Sequence, residues 1–199
     1  MKSIEKKQGD TIYILKISLK VVEPLIWRGL EVPADISLDK LASSILVAMG
    51  WEGSHMYCFE IGKDTFYESE DDVDEFDGMK MSTAKLNSWL FRKRQKAKFI
   101  YDFGDSWTHV IEVTSILQAV SGMRYPRCVA GERACPPEDC GGAWGYMEYM
   151  EALRNPDTAE KKEMLKWIGD DFDPEAFNLV KVDKRLGFLR GKGVKKKSG

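Results

Sequence analysis

Between Thr11 and Val22 apolar and polar residues alternate, with Ile12, Ile14, Ile17 and Leu19 among the apolar positions. A period of two predicts a half-buried strand. Glu23-Pro24 breaks the pattern, and Leu25 to Val32 reads as the returning strand, ended by Pro33. The spacing then changes. Leu38, Leu41, Ala42, Ile45 and Met49 fall at helical intervals, which predicts a helix over Leu38 to Met49 with Ser37 as N-cap and Gly50 as its stop. A third strand is expected over His55 to Ile61, then a turn at Gly62-Lys63-Asp64 and a short strand at Thr65 to Tyr67. The opening is ββαβ, a β-grasp-like half.

Glu68 to Asp77 carries Glu68, Glu70, Asp71, Asp72, Asp74, Glu75 and Asp77. It lacks the glycine and terminal glutamate of a calcium loop, so a solvated, mobile loop is expected. Lys96 to Phe103 and Trp107 to Leu117 form a hairpin (96–117) across Gly104-Asp105-Ser106. A long loop, 122–142, follows and is rich in Gly, Pro and Cys. Loops of that length are usually functional or tied down. Helices are expected at Trp144 to Leu153 and at Thr158 to Ile168, the latter capped by Asp157 with Glu160 three residues on and Gly169 as stop. Asp173-Pro174 reads as the opening of a last short helix. Beyond Asp183 every charge is basic, which reads as a frayed tail. The fold class is therefore α+β: a mixed, mostly antiparallel sheet with C-terminal helices packed on it. The expected organisation is an N-terminal tail (1–10), a single domain (11–187) and a basic tail (188–199).

Composition narrows the function classes. With 199 residues, 43% hydrophobic and 31% charged, the chain can bury one sizeable core and is not disordered in type. A net charge of −2 gives no global attraction to nucleic acid, and the basic tail offers only phosphate contacts that fade with salt. Specific nucleic-acid binding is not expected. No apolar run approaches the roughly 20 residues that span a bilayer, and Met1 to Lys7 lacks the apolar stretch of a secretory signal. No membrane association and a cytoplasmic location are expected.

Candidate chemistry concentrates in the hairpin turn and the cysteine-bearing loop. His109 shares a strand face with Trp107, Ile111 and Val113. It is either a core histidine satisfied by backbone or a base or ligand at a pocket rim. Asp105 is placed for an Asx-turn, or on the same alternation to face a groove with His109. His109, Cys128, Cys135 and Cys140 make a Cys₃His zinc set in composition. Their x₆ and x₄ gaps lack the tight knuckle of structural zinc sites, which favours plain structural cysteines. Cys58 reads as a small buried hydrophobe. Glu138 and Asp139 are expected to cap the helix that follows them, and secondarily to act as acids. Together Asp105, Trp107, His109, Glu138 and Asp139 outline a candidate groove between hairpin and loop. Dinucleotide, Walker, nucleophile-elbow and zincin motifs do not occur.

Tyr101-Asp102-Phe103-Gly104-Asp105-Ser106-Trp107-Thr108-His109, then Cys135-Pro136-Pro137-Glu138-Asp139-Cys140-Gly141-Gly142 and Trp144-Gly145-Tyr146, resemble the plasmid pRiA4b ORF-3-like family. The resemblance also takes in Pro24 to Arg28, Ala48 to Trp51, Ser54-His55, Phe59 and Phe172 to Phe177, covering roughly residues 11 to 187. It departs at Tyr57, where the family often carries a second histidine. Some members bear a transposon-resolvase label, but the resemblance implies no defined activity. No serine here sits among the arginines that a serine recombinase needs. Three readings follow in order. The first is a binding or regulatory module with a protein partner or small ligand in the groove. The second is a metal-assisted enzyme using the same groove, and the third is a DNA-associated protein using the basic tail.

Overall fold

The computed structural model describes residues 11–155 and 172–190, with 158, 159, 162, 163, 166 and 169 between them. The expected tail 1–10, the last nine residues of the basic tail, and most of the expected helix 158–168 with its cap Asp157 lie outside the described residues. The fold is α+β. Its eight strands form one sheet in the order β5-β4-β3-β6-β7-β1-β2-β8. These are β1 (Thr11–Leu19), β2 (Trp27–Pro33), β3 (Tyr57–Ile61), β4 (Asp64–Tyr67), β5 (Met79–Lys80), β6 (Lys96–Tyr101), β7 (Trp107–Gln118) and β8 (Arg127–Glu132). All neighbours pair antiparallel except β4 with β5.

The first helix, α1 (Leu38–Met49), has the expected bounds. Its stripe of Leu38, Leu41, Ala42, Ile45 and Met49 is buried, and Gly50 ends it in the left-handed conformation that glycine adopts without steric cost. On β7 the alternation also holds: Trp107, His109, Ile111 and Val113 are all buried. Arg28 on β2 is buried without a carboxylate partner among the described residues. Its guanidinium donates to the carbonyls of Ala48 (3.0 Å), Trp27 (2.8 Å) and Glu132 (2.9 Å) and lies 4.7 Å from the Phe177 ring centroid.

Four expectations are corrected. Glu70–Phe76 is not a mobile loop but a helix, α2. Ser69 caps it by accepting the Asp72 N–H (3.0 Å), and its acids crowd the first turn, where the helix dipole favours negative charge. Loop 122–142 contains β8, an edge strand that pairs with β2 and is clamped there by Arg127 on Glu31 (3.1 Å). Its burial does not alternate cleanly, which hid it from a periodicity reading. Asp173-Pro174 opens only a turn; the last helix runs over Leu179–Leu186, capped by Asn178, which accepts the Lys181 N–H (2.9 Å). Numbered after α3 (Leu86–Trp89) and α4 (Gly142–Arg154), it is α5. The chain beyond Asp183 therefore does not fray at once. Leu186 is buried, and Arg190 pairs with Asp183 while donating to the Pro126 carbonyl (2.8 Å). Among the described residues no helix is long and apolar enough to cross a membrane.

Candidate functional site

Pairing of β3 with β6 sets Tyr57 opposite Tyr101, so the residues just past that end of both strands become neighbours. The Asp102 N–H donates to the Met56 carbonyl (2.9 Å), which draws the hairpin end against the segment carrying His55. Asp102 then leaves the ladder with φ +59°, and its Oδ1 accepts the N–H groups of Gly104 (2.9 Å) and Asp105 (3.3 Å). The Asx-turn expected of Asp105 belongs to Asp102. Its second oxygen, Oδ2, lies 3.6 Å from His55 Nδ1.

The loop before α4 reaches the same place from the other side. Trp51 Nε1 donates to the Pro136 carbonyl (2.8 Å), the Tyr101 hydroxyl donates to Glu138, and the Glu52 N–H donates to the other Glu138 oxygen (2.9 Å). Trp51 stacks on Tyr101 with centroids 5.1 Å apart. Burial, followed by the Glu138 charge, pushes the Tyr101 hydroxyl pKa far up, so it stays a donor. Contrary to the expectation from sequence, neither Glu138 nor Asp139 caps α4. Gly141 is the N-cap, in the left-handed conformation, and Glu138 is spent on the anchor. Asp139, with φ +59°, turns its Oδ1 to 3.2 Å from His55 Nε2.

His55, Asp102 and Asp139 thus converge from three segments. One ligand atom from each lies within 4.8 Å of the others, the one such group of histidine, cysteine or carboxylate side chains among the described residues. An imidazole with two carboxylates suits a divalent cation of borderline or hard character and leaves coordination positions open.

The other candidate residues have different surroundings. Trp107 and His109 are fully buried beneath Trp51, whose ring centroid is 5.5 Å and 5.2 Å from theirs. Asp105 sits in the turn against the loop; a Cβ on Gly142 would be 2.5 Å from its carbonyl oxygen. The zinc set of His109, Cys128, Cys135 and Cys140 is not gathered into one cluster. Cys128 Sγ donates to the Ala130 carbonyl (3.4 Å), and burial raises its thiol pKa to about 11. Burial and then the Asp105 charge raise Cys140 to about 12, and burial drives Cys135 up as well. These are thiols, not thiolates. Cys58 is buried in β3.

His109 is also the clearest pH-sensitive group. Its Nδ1 lies 3.1 Å from the Phe99 carbonyl, and burial lowers its pKa to about 4. The unfolded chain, with an ordinary histidine pKa of about 6.5, binds the proton more readily than the folded one. Stability is therefore unaffected by this group above pH ~6.5, falls by about 1.4 kcal/mol per pH unit between ~6.5 and ~4, and levels off below. Denaturant midpoints from pH 7 to 5 should decline in the wild type and decline less in His109→Phe. Parallel curves would contradict the burial of a neutral imidazole.

The match to the model of the plasmid pRiA4b ORF-3-like protein family spans residues 11–181. The chain belongs to this family. It is 35% identical over 185 residues to the uncharacterized protein y4hQ of Sinorhizobium fredii, covering 92% of this chain and 94% of that one. It is also similar to the crystal structure of a protein of unknown function, MM3350, from Methanosarcina mazei Go1. There the identity is 35% and the TM-score 0.79, over 86% of this chain and 97% of the other. The family resemblance seen in the sequence is thus upheld, and two of its quoted segments, Ser54-His55 and Tyr101-Asp102, carry two of the three convergent ligands. The stretch that holds Asp102 is a candidate from sequence, but neither Asp102 nor His55 is among the candidate site residues. Nothing local distinguishes His55 or Asp102; only the β3–β6 register shows that they meet.

Proposed function

We propose that this protein is a ligand-binding module whose groove, between the β6–β7 turn and the loop before α4, is organised around a divalent cation. His55, Asp102 and Asp139 hold the ion, and the bound ligand completes its coordination. The observation that carries the reading is the convergence of the three ligand atoms within 4.8 Å. Two supports stand beside it. Both aspartates have positive φ, a strain that accumulates where side chains must be aimed. The loop is also anchored through the Glu138 carboxylate and the Pro136 carbonyl, which leaves the Asp139 carboxylate unspent on a cap.

Titration of Mn²⁺ and of Zn²⁺ into the full chain tests this. Saturable binding at a single site is expected, with Asp102→Asn and Asp139→Asn each weakening it by at least about tenfold, since even second-shell losses cost that much. Failure of the wild type to bind either ion at about 1 mM, the weak end of cation sites, or equal binding by both variants, would sink it. Open coordination positions also favour metal-assisted hydrolysis as the second reading. Metal-dependent cleavage of a model phosphoester that Asp139→Asn abolishes would extend the module to an enzyme.

A further inference from the structure

A cavity of about 640 Å³ opens at the N-terminal end of α1 and shares no lining residue with the His55 site. Its size falls within the range of small-molecule pockets. Its lining combines apolar residues, Ile36, Tyr125, Pro126 and Phe188, with Ser37, Lys40 and Lys85. We propose that this cavity binds a small organic anion, a carboxylate or phosphate group on an apolar body. The charged group sits at the α1 N-terminus and the body lies against Tyr125 and Phe188.

The helix end supplies the first argument. Initial N–H groups of a helix have no intrahelical partner and carry its positive partial charge. Here the Leu38 N–H is taken by the Ala84 carbonyl (3.0 Å) and the Leu41 N–H by the Ser37 carbonyl (3.0 Å). Those of Asp39 and Lys40, between them, are the ones an anion would receive.

Ser37 is the second and independent argument. An N-cap serine ordinarily spends its oxygen on one of these N–H groups. Ser37 stands at the cap, is 4% exposed, lines the cavity, and makes no capping hydrogen bond. Nor does its hydroxyl have another side-chain partner among the described residues. A hydroxyl free in the wall of a cavity is a donor available to a ligand.

The charges agree with that assignment. Lys40 and Lys85 are exposed, and Asp35 is the one carboxylate among the described lining residues. The Asp39 carboxylate, in the first turn of α1, is outside the lining, with its Oδ1 buried in the protein. Phe188, also in the lining, is 88% exposed, an apolar face that a ligand body would cover.

The test uses the full chain with phenyl phosphate and phenylacetate as probes. Benzyl alcohol serves as the neutral counterpart and inorganic phosphate as the bare head group. Calorimetry should show one of the two anions binding at least about tenfold more tightly, 1.4 kcal/mol, than both controls. Which anion prevails distinguishes a phosphate from a carboxylate ligand. The double variant Lys40→Glu/Lys85→Glu, altering only exposed side chains, should weaken that binding at least tenfold with an unchanged circular dichroism spectrum. Phe188→Ala should weaken it as well, and excess chelator should leave it unaffected, which separates it from the His55 site. No binding of either anion, equal binding of benzyl alcohol, or affinity indifferent to the lysine and Phe188 changes would overturn the proposal.

Discussion

Trp107→Ala is expected to lower the unfolding free energy by roughly 3–5 kcal/mol, the cost of emptying a large buried aromatic site. Trp107 is 2% exposed at the start of β7. Its ring lies under Trp51, and Trp51 in turn stacks on Tyr101 and holds the Pro136 carbonyl. The cavity would therefore open beneath the contact that ties the loop to the hairpin. A shifted denaturant midpoint together with weaker Mn²⁺ binding is expected, whereas Trp107→Phe, which retains most of the buried surface, should lose less of both. An unresolvable midpoint change would mean that the indole is not part of the packed core.

The second large effect runs against ordinary helix propensity. Alanine for glycine inside a helix normally stabilises it by about 1 kcal/mol. At Gly145 the added Cβ would stand 1.8 Å from the Cys140 carbonyl oxygen and 2.9 Å from its carbon. Backbone atoms cannot swing aside as a long side chain can. Cys140 lies between Asp139 at φ +59° and Gly141 at φ +83°, so relief must displace the turn that aims Asp139. Gly145→Ala should cost roughly 1–3 kcal/mol, as overpacking does, and weaken cation binding with it. Gly187→Ala is the control, since nothing lies within 4 Å of its added Cβ. Thermal unfolding of the two variants side by side would expose an error if Gly145→Ala proved neutral or stabilising.

What the chain disclosed in advance follows from how local each signal is. Helix α1 could be read to the residue because its stripe, its cap position and Gly50 all lie within one segment. The inward face of β7 was legible from period two alone. Helix α2 was not, because a run of acids looks like a solvated loop until Ser69 is seen as its cap and Phe76 against Tyr67, with centroids 5.4 Å apart. Strand β8 was hidden for the opposite reason: it is held by partners distant in sequence, Glu31 and Asp183, rather than by its own pattern. The candidate site was half legible. Asp139 and the loop were marked for attention, but His109 drew it away from His55, since only pairing across the sheet distinguishes a core imidazole from one at a strand end.

The strand order carries a consequence for how the molecule is made. Strand β1 lies between β2 and β7, with Leu19 opposite His109 and Thr11 opposite Gln118. A ribosome adding about 5–20 residues per second delivers β2 almost at once and β7 several seconds later. During that interval the nascent β1–β2 hairpin presents an unpaired edge and one apolar face, the condition under which strands recruit wrong partners. Non-local closure of this kind also slows folding of the released chain. The middle of the sheet, buried in the finished protein, is therefore closed only after β7 has emerged, and the β2 edge later still, when β8 follows.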